Sequence, residues 1–124
     1  MTPLIDCSPQ QIFKLASECG FSDKFGQLVT PLTNYKIHPA LEFAIDNGGF
    51  SRACPRQWRN LLNKAQKYAG KVMWATVPDI VGDSRRTLEL FDQLIGEVTT
   101  RGYKVALVAQ DGLENMLIPW DKFE

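Results

Sequence analysis

Histidine is almost missing from this sequence. His38 stands alone, so no histidine-based triad or metal cluster can be assembled, and His38 reads as an ordinary loop residue. Cysteine is scarce as well. Cys7, Cys19 and Cys54 are odd in number and widely spaced, which provides neither a disulfide framework nor a zinc-ligand spacing and suits a reducing, cytoplasmic setting. Net charge is zero, with 14 Lys and Arg against 14 Asp and Glu. A neutral domain exerts no long-range pull on nucleic acid or an anionic membrane, so any contact with a polynucleotide has to come from a local patch. Long apolar runs are lacking too, which speaks against a bilayer span or a secretory leader. No phosphate-binding loop, dinucleotide fingerprint or nucleophile elbow occurs, so neither a cofactor nor a metal is expected.

What the chain does contain is a recurring pattern. Three apolar runs of strand length each stop at acidic or amide residues beside glycine or proline. Phe43-Ala44-Ile45 runs into Asp46-Asn47-Gly48-Gly49, Val72 to Val77 into Pro78-Asp79, and Val105 to Ala109 into Gln110-Asp111-Gly112. Successive stops lie roughly 30 residues apart, the length of one βα unit. Parallel neighbouring strands would bring all three polar clusters to one edge of a sheet, where α/β proteins place ligands.

Between the runs the helix signals are clear. Ser8-Pro9-Gln10-Gln11 opens a helix as a capping box with proline in the first turn, Ile12, Leu15, Ala16 and Cys19 follow at helical spacing, and Gly20 ends it. Gln27 to Thr30 reads as a first strand stopped by Pro31, and Pro31 to Pro39 as a long loop over the polar edge. Pro55 starts a helix with Trp58, Leu61, Leu62, Ala65 and Tyr68 inward, closed by Gly70. Asp83 caps another with Leu88, Phe91, Leu94, Ile95 and Val98 inward, closed by Gly102. With 44% hydrophobic and 23% charged residues, the composition is that of an ordinary globular domain. The expected architecture is α/β: one domain over residues 1–124, with about four parallel strands and intervening helices. An eight-fold βα barrel takes roughly 250 residues, so this would be a partial barrel, the half of a TIM-like fold. Two unpaired sheet edges and an all-parallel sheet call for cover, from a homo-oligomer or from a partner chain completing the barrel.

Each candidate site residue has two readings. Asp46, before Gly48-Gly49-Phe50, can exchange a proton with a ring nitrogen while the glycines let a planar ligand approach the backbone; it can equally cap an amide in a plain turn. Asp79 can accept hydrogen bonds from a ligand edge or sit in a helix's first turn, where Asp83 is the better cap. Gln110 offers a donor and an acceptor at a strand tip, or anchors a loop. Phe50, Trp74 and Tyr35 can stack on an aromatic ligand or fill core. Arg52, Arg56 and Arg59, near the start of the second helix, can contact phosphates or form a solvated face.

With these residues in hand, the chain resembles the tRNA-guanine transglycosylase superfamily, in particular its shorter phage and bacterial members that place deazaguanine bases in nucleic acid. The resemblance rests on Ala44 to Phe50, Trp74 to Asp79 and Ala106 to Gly112, and spans roughly Gln27 to Asp121. It implies exchange of a purine-type base at a ribosyl carbon through a covalent intermediate. Asp46 would then assist proton transfer, and Asp79 and Gln110 would bind the base beside Gly48, Gly49 and Phe50. The family's nucleophilic aspartate comes from a later barrel strand, its later glycine-rich loop has no counterpart before Glu124, and neither does the zinc cluster of its larger members. The expected function is therefore binding of guanine or deazaguanine, free or in a polynucleotide, with catalysis only if a second half supplies the nucleophile. The alternative from another class is a non-catalytic interaction module, such as a phage-type inhibitor of a nucleic-acid-processing protein.

Overall fold

The computed structural model describes residues 2–20, 25–49 and 53–123. Its first helix forms where the capping chemistry demands it. Gln11 N–H donates to Ser8 Oγ at 3.4 Å and Ser8 N–H donates to Gln11 Oε1 at 3.1 Å, satisfying two of the amides that a helix start leaves open. Helix α1 runs Pro9–Cys19 and ends at Gly20, whose φ of 71° is the left-handed conformation a side chain would resist. Helix α2, Pro55–Ala65, begins with the Cys54 N–H held by Gln57 Oε1 at 2.9 Å. Helix α3, Ser84–Thr99, is capped by Asp83, which accepts from Arg86 N–H at 3.0 Å.

Five strands pair in parallel and in chain order: β1 (Leu4–Ile5), β2 (Gly26–Val29), β3 (Phe43–Ile45), β4 (Val72–Thr76) and β5 (Val105–Ala106). The sheet always steps in the same direction. Right-handed crossovers in such a sheet place every helix on one face. Val29, Phe43, Ile45, Ala75 and Val77 join Trp58, Leu62, Phe91 and Val98 in one buried core, so these strand residues point at the helices. Leu28, Ala44, Trp74, Thr76 and Ala106 alternate with them and lie on the opposite face; Ala44 and Thr76 are buried there, the other three half-buried. Among the described residues the sheet thus has a helix-covered face and a helix-free one.

Two corrections to the sequence reading follow. There are five strands rather than four, because Leu4–Ile5 pairs with Gly26–Gln27; two residues carry no periodicity, so only the neighbour reveals them. Gly70 does not close α2 as a left-handed cap. The α-helix stops at Ala65, and a 3-10 helix, Gln66–Lys71, carries the chain past Gly70 to β4. The chain between β2 and β3 is a loop without a helix, as the Pro31–Pro39 composition indicated. Among the described residues no helix is long and apolar enough to cross a membrane.

Trp58 ties the layers together. It is 0% exposed in the core, and its Nε1–H donates to Thr76 O at 3.0 Å, fastening α2 to the end of β4. Trp58→Ala is expected to lower unfolding free energy by about 3–5 kcal/mol, measured by urea titration of the far-ultraviolet circular dichroism.

Candidate functional site

Because all strands run the same way, their carboxyl ends share one edge. Asp46 follows β3, Asp79 lies three residues beyond β4, and Gln110 four beyond β5. The structure brings these three together. They line one open cleft of about 260 Å³ with Asn47, Gly49, Val81 and Val108. Phe50 and Arg52 lie outside the described residues.

Asp79 is the hub of the cleft. Its Oδ2 accepts from Gln110 Nε2 at 2.6 Å and its Oδ1 from Asn47 Nδ2 at 2.8 Å. Gly82 N–H donates to Gln110 Oε1 at 2.8 Å, which sets the orientation of the amide. Asp46 accepts from Gly48 N–H through Oδ2 at 2.9 Å, leaving Oδ1 without a hydrogen bond among the described residues. One chain of hydrogen bonds therefore joins the loops after β3, β4 and β5. Among the described residues each Asp79 oxygen has one hydrogen-bond partner and so a free lone pair, and Gln110 keeps one Nε2–H. The cleft accordingly offers a set of acceptors beside one donor.

The two glycines after Asn47 have reasons internal to the chain. Gly48 has a φ of +70°, and a Cβ there would stand 2.8 Å from Ala53 Cβ and 3.0 Å from Pro31 Cδ. A Cβ on Gly49 would stand 2.7 Å from Asn47 Oδ1 and 2.9 Å from Asp79 Oδ1. Gly48 makes room for the neighbouring loops, and Gly49 lets the Asn47–Asp79 pair close. A second cleft of about 200 Å³, between the loop before α2 and the loop before α3, shares Asn47, Gly49 and Asp79 as its wall and adds Cys54, Trp58 and Leu90. Asn47 is 4% exposed; the sequence reading passed over it as a turn residue, although an amide between two candidate site positions was the available signal.

The remaining candidates are placed differently. Arg56 is exposed. Arg59 points along the helix layer at Glu97 near the end of α3, with Nε 3.0 Å from Oε1, while Arg101 Nη1 is 3.0 Å from Glu97 Oε2. That ion pair competes with the phosphate contact expected of Arg59. Tyr35 does not stack in the cleft. Its hydroxyl donates to Asp6, beyond β1, and lies 2.9 Å from Leu28 O, and burial together with the Asp6 hydrogen bond pushes its pKa well above the usual phenol range. Trp74 sits half-buried on the helix-free face. His38 is a loop residue whose ring meets Phe13 edge-on at 5.1 Å. Compared with protein-family models, with curated proteins and with solved structures, the chain matches none.

The Arg59–Glu97–Arg101 cluster sets an acid-side pH dependence. Hydrogen bonds from Arg101 and then Arg59 hold the Glu97 carboxyl below its ordinary value of 4.5. A carboxyl with a lowered native pKa contributes stability above its unfolded value and loses it as pH falls through the native one. Glu97→Gln is therefore expected to flatten the wild-type loss of stability below pH 4.5, read as melting temperature against pH.

Proposed function

We propose that the carboxyl edge of this sheet binds a guanine-type base, guanine or a deazaguanine, and that the chain is half of a transglycosylase-like βα barrel. The observation that carries the reading is the convergence of Asp46, Asp79 and Gln110 on one cleft of about 260 Å³, in the strand order and at the strand ends where the resemblance puts them. The hydrogen-bonding pattern supports it. A guanine edge presents two donors, the ring N–H and the exocyclic amine, beside a carbonyl acceptor. The free lone pairs of Asp79 suit the donors, and the remaining Nε2–H of Gln110 suits the carbonyl. Adenine puts a ring lone pair where Asp79 already has one, and is rejected. Asp46, with Oδ1 unengaged, is the group to exchange a proton with a ring nitrogen. Base exchange at a ribosyl carbon also needs a nucleophile, which in this reading comes from strands that complete the barrel.

The test is thermal melting with free bases. Guanine is expected to raise the melting temperature through preferential binding to the folded state, adenine to leave it unchanged, and Asp79→Ala to abolish the guanine shift. A null result with guanine and 7-deazaguanine in the wild type would reject the reading.

A second reading draws on the helix-free face. Half-buried Leu28 and Trp74 lie there, and Leu117 and Trp120 are 96% and 71% exposed elsewhere on the surface. All-parallel sheets are ordinarily covered on both faces, so an interaction module docking a second copy or another protein on that face is the competing role. Sedimentation at tens of micromolar is expected to show a dimer or larger. A clean monomer there would count against self-association and leave a partner chain to cover the face.

A further inference from the structure

Asn47 engages its backbone N–H, both side-chain N–H groups and its side-chain oxygen. Its Nδ2 donates to Val77 O at 2.9 Å and to Asp79 Oδ1 at 2.8 Å, its Oδ1 accepts from Gly49 N–H at 2.5 Å, and its own N–H donates to Thr76 Oγ1 at 2.8 Å. With 4% exposure, it is a closed bracket between the end of β3 and the end of β4. We infer that Asn47 is the positioning residue for the base-binding carboxylate: it holds the plane of Asp79 so that the remaining lone pairs face the ligand, and it does so only as a neutral donor. This rests on the base-binding reading and adds to it the group that makes Asp79 competent.

Chemistry explains why this position takes an amide. Only Asn and Gln carry two N–H donors and an acceptor on one planar group, and Gln is a methylene too long for the same bracket. Aspartate has the same shape with no donor. Placed at 47 it would set a carboxylate against the Val77 carbonyl and against Asp79 itself. The titratable groups facing the position are Asp79 from the β4 loop, Asp46 beside it and the Cys54 thiol at the start of α2. No basic side chain lines either cleft among the described residues. A pair of carboxylates with no cation lining its clefts among the described residues shares a proton. That proton would stand in for the one Nδ2–H that Asn47 gives to Asp79 and restore that link, but only at low pH; the link to Val77 O, which takes the second Nδ2–H, stays broken.

The experiment is guanine affinity of Asn47→Asp against wild type between pH 5.5 and 8.5, followed by calorimetry, with circular dichroism recorded at each pH. Wild-type affinity is expected to be flat within about twofold, while Asn47→Asp binds best at pH 5.5 and loses about tenfold or more by pH 8.5, as one carboxyl proton is released. Parallel profiles, with wild-type binding intact, would overturn the role of Asn47 alone. Wild-type protein that fails to bind guanine at any pH would reject the base-binding reading and this inference with it. Should Asn47→Asp unfold at high pH, the exchanged pair Asn47→Asp/Asp79→Asn decides: with donor and acceptor reversed it is expected to fold yet not to bind guanine. Guanine binding by the folded exchanged pair would overturn the inference.

Discussion

Parallel pairing in chain order is the constraint on which the rest of the molecule depends. Five strands, each hydrogen-bonded to the next in sequence, have to return along a crossover after every strand, and same-handed crossovers stack their helices on a single face. From this one rule come the location of the core, a second face without a helix among the described residues, and a common edge for every strand's carboxyl end. Residues distant in sequence meet there without any long-range recognition between their own side chains. The edge is assembled by the backbone and decorated afterwards.

The decoration is a chain of hydrogen bonds that needs every member. Asp79 binds Asn47 through one oxygen and Gln110 through the other, and Gln110 is held in turn by the Gly82 amide. Leaving the buried Asn47 amide unpaired would cost about 1–3 kcal/mol, so the arrangement favours a single geometry of the loops after β3 and β4. Gly49 belongs to this arrangement because any Cβ there would collide with both Asn47 and Asp79. The same network that stiffens the cleft leaves lone pairs and one N–H unused among the described residues. Under the base-binding proposal, stability and recognition would draw on one set of atoms.

Much of the fold was legible because its signals are local. Ser8-Pro9-Gln10-Gln11 is a capping box in the sequence and in space, and Asp83 caps α3. Phe43–Ile45 forms a strand with the bounds its apolar run predicted. The failures are equally physical. Leu4–Ile5 is a strand only because Gly26 and Gln27 offer it partners. The run from Val105 to Ala109 pairs over Val105–Ala106 alone, since an edge strand is ordered only as far as its single neighbour reaches. Arg59 looked free for phosphate because Glu97, 38 residues away, is invisible from its own segment.

What the sequence determined by itself is the ingredients and their rhythm: apolar runs of strand length, a polar stop after each, caps and prolines to begin the helices. Those are properties of neighbouring residues, set by propensity and hydrogen bonding within a turn or two. Only the tertiary structure decided that Asp46, Asp79 and Gln110 share a cleft, that Asn47 braces it, and that one face of the sheet carries no helix. These depend on which strand lies beside which, and strand neighbourhood is settled by burial of the whole core rather than by any segment of the chain.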